Sequence, residues 1–569
     1  MRTGRFIGWP WGVLLVPLVC TVALIAPHLA GGAASPIRFE LQAINFKHEN
    51  GEDPGRRQAP ATMAGGVAVF DYNRDGRPDI FFTNGARLAT LRKDDPKYSN
   101  RLFRNDGNGV FTDVTEKAGL AGVGYDEAVA AGDYDNDGYP DLFVAGVHHN
   151  TLYHNNRDGT FTDVTVKAGI KNAPDPEYGP LWAVGAVWVD VNNDGLLDLF
   201  VVNYMKWDYA TEPQCNKNLA VNGQKPEPDY CDPRLYGPTP NQLYLNQGDG
   251  TFKDVSVEWG IRAHPGKGMS AAMADYDLDG FPDIFVPNDT QANFLFHNVG
   301  GKKFEEVAFP TGVALPDDGV FISGMGSDFR DYNNDGYPDI FFSALERQTF
   351  PIFRNVAGKR FEEVTASSGM RTLCWPMAGF GVGLYDFDND GWKDLFVTRG
   401  DVLSLAMPGN TVNQPNTVFR NTGANGKWQA LTAEAGLTAA PPGRYRGLAF
   451  GDLDGDGRVD VVTTQINGPG RIWMNRSPGA AHWLDIALEG TKSNREGIGA
   501  RIKIVTKSGA QYNHMTTSVG YASSSDGPVH FGLGADAKAD LVEIHWPSGI
   551  VQTLKDVPGD RVLRVKEAQ

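Results

Sequence analysis

The sequence predicts an all-β protein, a seven-bladed β-propeller followed by a small β-domain, and three observations carry that expectation. A nine-residue acidic stretch of the form Asp-x-(Asp/Asn)-x-Asp-Gly-x-x-Asp occurs seven times. Each copy sits inside a larger repeat with four short β-type runs and no helical periodicity. The copies start 62, 57, 85, 56, 55 and 66 residues apart, a spacing suited to four-stranded blades around an axis.

The acidic stretches come first, because they set the register of everything else. Their oxygen-bearing side chains are Asp71, Asn73, Asp75 and Asp79; Asp133, Asp135, Asp137 and Asp141; Asp190, Asn192, Asp194 and Asp198; and Asp275, Asp277, Asp279 and Asp283. Three further sets follow: Asp331, Asn333, Asp335 and Asp339; Asp386, Asp388, Asp390 and Asp394; and Asp452, Asp454, Asp456 and Asp460. Hard cations such as calcium take six to eight oxygen ligands, which a short loop supplies by alternating its carboxylates. Glycine at position 6 permits the sharp turn, and position 7, which varies freely, offers its backbone carbonyl. An EF-hand would place glutamate at position 12 between helices, whereas here the last acid is at position 9 and the flanks read as strands. The sequence therefore predicts up to seven Ca2+ sites, each in a strand-loop-strand setting. Ordinary turns also use Asp, Asn and Gly, but they do not require Asp at fixed offsets seven times over.

Composition agrees with this reading. The formal charge of −17 falls largely on these loops, which hold 25 Asp, so seven divalent ions would offset most of it. Nucleic acid is thereby an unsuitable partner. Arg2 and Arg5, an apolar run from Phe6 to Ala26 and small residues at 31–35 predict a signal peptide or N-terminal membrane anchor over 1–34. The location expected is outside the cytoplasm: periplasmic, cell-surface or secreted. In that setting Cys215 and Cys231 are expected to close a disulfide inside a long polar insertion, while Cys374 reads as a small buried residue.

Taken in order, each repeat has a run rich in Gly and Ala before the acidic loop, expected to be the innermost strand. A second run follows the loop. A third ends in asparagine (Asn105, Asn155, Asn246, Asn298, Asn355, Asn421, Asn475), and a fourth usually reads Phe-x-(Asp/Glu)-Val. The seventh repeat lacks the fourth run, and Ile37–Phe46 before the first repeat has its character, so that segment is expected to close the ring and hide two sheet edges. The propeller is thus expected over 35–480 and a separate β-domain over 481–569, with strands at Trp483–Leu488, Ala500–Thr506, His530–Gly532, Leu541–Trp546, Val551–Leu554 and Val562–Val565.

These residues resemble a known family. The acidic loops look like the FG-GAP, or VCBS, repeats of integrin α-chain propellers. The tail resembles the ASPIC/UnbV domain through Gly497–Ile502, His530–Gly534 and Val542–Gly549. Together they resemble the cartilage acidic protein family and its bacterial relatives, which implies calcium binding and an extracytoplasmic role without a defined reaction.

No nucleophile elbow, zinc-binding His-Glu-x-x-His or phosphate loop is present. His148-His149 reads as a solvated loop, and Arg399-Gly400-Asp401 as a chance tripeptide rather than an adhesion signal. The function expected is a non-catalytic module binding an extracytoplasmic protein or glycan. Two alternatives are an enzyme acting on a carbohydrate or peptidic substrate in the central funnel, and a purely structural envelope protein. A partner is expected on the face away from the acidic loops, where the insertion carries Trp207, Tyr209, Tyr230 and Tyr236, residue types favoured at binding hot spots.

Overall fold

The computed structural model describes residues 1, 3–4, 8, 36–53, 55–63, 65–216, 227–402 and 411–569. The predicted signal or anchor segment lies, apart from four residues, outside the described residues. Among those described, no helix is long and apolar enough to cross a membrane.

Seven four-stranded antiparallel sheets make the propeller. Their first strands are Val67–Phe70, Asp126–Gly132, Ala183–Val189, Ala272–Ala274, Ser327–Arg330, Gly379–Tyr385 and Tyr445–Gly451, and each neighbours the next, the seventh returning to the first. The strand after each acidic loop opens Asp-(Ile/Leu)-Phe in six sheets. The phenylalanines Phe81, Phe143, Phe200, Phe285, Phe341 and Phe396 are at most 1% exposed. Burying each is worth about 1.5–3 kcal/mol, which makes this strand the apolar core of its sheet. In the seventh sheet Val462 takes the same place.

That seventh sheet is closed by the N-terminal strand Phe39–Lys47, which pairs antiparallel with Pro469–Asn475. Phe39 is 2% exposed and packs edge-on to Phe387 and Phe396 of the sixth sheet. The last sheet is thereby built from strands at both ends of the array.

The tail forms two small sheets. One holds Val529–Gly534, His482–Glu489 and Arg561–Lys566, the last pair parallel; the other holds Gly509–His514, Arg501–Thr506, Lys538–His545 and Val551–Pro558. The strand Gly509–His514 was not expected from the sequence, since GAQYNH lacks the alternation that marks a strand.

The tail packs closely onto the propeller. Its core residues Leu484, Ile502, Phe531 and Val542 join one continuous buried cluster with the second and third propeller sheets. The acidic-loop face carries its contacts: Glu496 Oε2 accepts from Asp133 N at 2.9 Å, and Arg495 N donates to Asn136 Oδ1 at 2.7 Å. On the same face Lys393 Nζ donates to the Tyr512 carbonyl, and His530 Nε2 meets Asn389 Oδ1 at 2.8 Å. From this cap a hairpin finger, Met515–Gly527, enters the axial channel. Its own strands are tied by Ser525 N donating to Thr517 O. The small residues of the inner strands were expected to relieve crowding at the axis; what they make room for is this finger.

Candidate metal centres

Each acidic loop is folded by its own carboxylates. Position 1 accepts the N–H of glycine 6 at 2.7–3.0 Å in every copy. Position 5 accepts the N–H of position 7 at 2.9–3.1 Å. Between them, position 4 adopts left-handed backbone, as at Asn136 (φ 58°), Asn193 (55°), Asn334 (60°) and Asn389 (56°), which asparagine tolerates better than most residues. These four asparagines also reach sideways, each donating to the glycine carbonyl of the next loop at 2.8–3.0 Å.

Position 9 begins the second strand and is the deepest acid. Asp79, Asp141, Asp198, Asp283, Asp339, Asp394 and Asp460 are at most 1% exposed. Their Oδ2 accepts the N–H of position 2 at 2.9–3.3 Å. Their Oδ1 accepts the N–H of the strand-three asparagine at 2.6–2.9 Å.

Those asparagines had been noted in the sequence only as strand ends, and their role was missed. Each Nδ2 donates to the position-8 carbonyl of its own loop. It also donates, at 2.8–3.0 Å, to the position-2 carbonyl of the preceding sheet's loop. Asn105 of the first sheet reaches Leu453 of the seventh, so the clamp runs round the whole ring. Its recurrence at the end of the third run of every repeat was the available signal.

The carboxylates converge. Asp133, Asp135 and Asp137, then Asp275, Asp277 and Asp279, and then Asp386, Asp388 and Asp394 each place oxygens within 4.8 Å of one another. Gathering like charges under cover is unfavourable unless a cation joins them. Burial pushes Asp79 and Asp133 up to about 8, Asp141, Asp190 and Asp283 to about 7, and Asp275, Asp331 and Asp452 to about 6. Burial raises Asp198, Asp339, Asp386, Asp394 and Asp460 further. Asp388 is 6% exposed, and its Oδ1 is buried without a hydrogen-bond partner. An all-oxygen donor set with an orphaned buried carboxylate oxygen fits a hard divalent cation.

The loops are not equivalent, because basic side chains of the chain itself reach several of them. Arg420 Nε lies 2.7 Å from Asp388, and its guanidinium also meets Asp390. Arg476 lies 2.7 Å from Asp454, and Arg77 2.6 Å from Asp75. Arg157 holds Asp137 at 2.6 Å. His154 Nδ1 is 3.3 Å from Asp141, and His297 Nδ1 is 3.0 Å from Asp283, each completing a cluster with one more aspartate. Among the described residues, no basic side chain pairs with the carboxylates of the third loop.

Three of the four aromatics expected at a partner surface are buried. Trp207, Tyr230 and Tyr236 are 2%, 5% and 7% exposed, and Tyr209 is half-buried beneath Arg56. They fasten the insertion down: Tyr236 Oη donates to Glu212 Oε1 at 2.9 Å, Tyr230 Oη donates to Glu52, and Trp207 packs on Trp182. Apolar rings of that size gain more from covering their own long loop than from waiting in solvent. The insertion is closed by a disulfide between Cys215 and Cys231, while Cys374 is free and buried, its thiol pushed up to about 12 by burial.

Neither sequence curiosity presents a site. Arg399 and Asp401 are each 8% exposed, with the Arg399 guanidinium bound by Gln414 and Thr417. His148, half-buried, engages the Trp207 carbonyl through Nε2, and burial lowers its pKa.

The FG-GAP-like repeat model matches residues 71–144, 133–201, 235–286, 275–342, 331–397 and 398–463, and the ASPIC and UnbV model matches 490–569. Cartilage acidic protein 1 of Xenopus tropicalis is 28% identical over 330 residues, covering 56% of this chain and 47% of that protein. Its Homo sapiens counterpart is 28% identical over 324 residues, covering 54% and 45%. The chain thus spans about half the length of the curated relatives it matches. Among solved structures, an Agrocybe aegerita lectin that recognises non-reducing terminal N-acetylglucosamine is 15% identical, with 72% of this chain and 87% of that one covered and a TM-score of 0.40. BBS1N in complex with ARL6DN is 11% identical, with 78% and 99% covered and a TM-score of 0.39.

Proposed function

Since the chain belongs to the FG-GAP-like repeat family and carries an ASPIC and UnbV domain, we propose that it is a calcium-stabilised, non-catalytic interaction module that meets a protein or glycan outside the cytoplasm. The observation that carries the calcium reading is the set of converging, buried carboxylates, with Asp388 Oδ1 left unpartnered. The disulfide supports an oxidising compartment.

The partner surface is the face opposite the acidic loops. In antiparallel sheets the loops between strands two and three, and the connections between sheets, emerge on that face. The tail covers the other one. Phe321 and Trp375, 55% and 48% exposed, sit on two of these connections. One loop links them, as Ser323 N donates to Gln348 Oε1 and Arg347 N donates to the Trp375 carbonyl. Exposed aromatics held on a tied-down scaffold suit a binding anchor. The reading as an axial enzyme is the weaker one, because the finger stands where a substrate would enter.

Extracellular calcium modules have dissociation constants of about 10⁻⁴–10⁻³ M. Calcium tenfold above that adds roughly 1.4 kcal/mol per occupied site, so several sites together rival the stability of a domain. Chelation is expected to lower Tm by well over 10 °C, with calcium restoring it and magnesium doing so poorly. An unchanged melting curve in chelator rejects the calcium reading. Replacing Phe321 and Trp375 with serine is expected to abolish capture of the native partner on a glycan array or from the envelope while leaving Tm in place.

A further inference from the structure

We propose that the axial channel of the propeller is a peptide-binding site whose ligand is the chain's own finger, Met515–Gly527, and that this engagement, more than the flat contacts around it, holds the tail on the propeller. The inference does not depend on which partner or cation the protein binds.

The finger is read by all seven inner strands. Ser524 N donates to Val67 O and Ser524 O accepts from Val69 N, both at 3.0 Å, a strand-like pairing with the first sheet. Val129 N donates to Ala522 O at 3.1 Å, and Thr517 Oγ1 donates to Ala131 O at 3.1 Å, on the second. Ser518 Oγ lies 3.4 Å from the carbonyls of Ala186 and Ala271 at the third and fourth. Gly520 and Ser327 exchange two backbone bonds at the fifth, and Asp526 N donates to Phe450 O at the seventh. The sixth contributes Phe380, whose ring meets that of Tyr521 edge-on at 5.6 Å.

Recognition is specific as well as extensive. Tyr521, at the tip, is fully buried and donates its hydroxyl to the Met63 carbonyl at 2.7 Å, at the far end of the channel. Its flanks, Gly520 (φ 86°) and Ala522 (φ 56°), take left-handed backbone that turns the chain around it. Any side chain at 520 would begin 3.0 Å from Val382 O. The channel wall is cut back to match: a Cβ at Gly66 would stand 2.2 Å from Ala522 O, and one at Gly447 2.8 Å from Ser523 Oγ. The ligand class is therefore an extended hairpin of Ser, Gly and Ala with a single tyrosine anchor, bound largely through main-chain groups.

The full chain tests this. A protease site placed at the exposed residues Pro478–Gly479–Ala480 separates propeller from tail after folding. The cut wild type is expected to stay one species on size exclusion at micromolar concentration. Tyr521→Ala and Gly520→Val are each expected to raise the dissociation constant of the cut pair at least thirtyfold, Tyr521→Phe about three- to tenfold, and the rim variant Arg501→Ala less than fivefold. Cooperative melting of each uncut variant shows that it has folded, and if Tyr521→Ala fails that check Tyr521→Phe decides. Cut finger variants that bind as tightly as wild type, or a cut wild type that falls apart, overturn the proposal.

Discussion

Asparagine 298 does at the scale of one residue what the whole ring depends on. Its amide spans two sheets, and its N–H holds Asp283, so Asn298→Ala leaves Val191 O and Pro282 O without donors in a dry place. Such a loss costs about 1–3 kcal/mol. Urea unfolding in saturating calcium is expected to show it as a lower midpoint with unchanged slope. Glu567 offers a second test. Three consecutive amides, Thr491, Lys492 and Ser493, donate to its carboxylate, as do the Ser493 and Ser548 hydroxyls. Burial alone would raise its pKa, but these donors prevail and hold it at about 2 against an ordinary 4.5. A carboxyl depressed in this way stabilises the fold fully above about 4.5 and loses that contribution as pH falls toward about 2. The stability gap between wild type and Glu567→Gln should therefore be constant at neutral pH and close on the acid side. A gap that persists at pH 2 contradicts the assignment. Neither residue could be valued from the chain alone, since their partners lie up to 107 and 76 positions away.

At the scale of the element, the acidic loops were legible as seven repeated turns between strands, because their spacing is a local property. What was not legible is how the seven differ. Arg420 is one residue before a strand-end asparagine, and only pairing of strands brings it onto Asp388 and Asp390. As a resident cation it competes with a bound one. Arg420→Ala is expected to tighten cation binding at the loop of Asp386–Asp394 two- to fivefold by calorimetric titration, in line with about 0.2–1 kcal/mol for a partly exposed pair. Unaltered or weakened binding would count against the competition. The insertion misled for a related reason. Trp207, Tyr230 and Tyr236 stand in a polar stretch and look available, yet residues far upstream engage the insertion, Glu52 by accepting from Tyr230 Oη and Ala59 N by donating to the same Glu212 that Tyr236 meets.

For the whole molecule, the all-β repeat architecture was readable because a fixed period forces similar sheets to stack. The closing strand also left a local trace: a fourth run missing at one end and present at the other. The finger left none. Thr516–Gly527 reads as a polar loop, and nothing in its composition says that it threads an axis where Gly66 and Gly447 lie 456 and 76 positions before the residues they face. The tail is therefore a lid with a root in the propeller. Removing Phe39–Lys47 should expose the edge of Pro469–Asn475 and promote association through it, visible as concentration-dependent oligomers in light scattering.

The same closure sets a clock on the ribosome. Arg38 and Ser477, bonded to each other in the finished protein, are 439 residues apart. At a synthesis rate of about 5–20 residues per second, the first strand waits roughly 20–90 s for its partner to be made. Through most of that interval Phe39 lacks Phe387 and Phe396, the rings it packs against in the finished protein, and every earlier sheet can fold while the ring stays open. Among the pairings within the propeller's own sheets, the longest wait therefore falls on the very first strand.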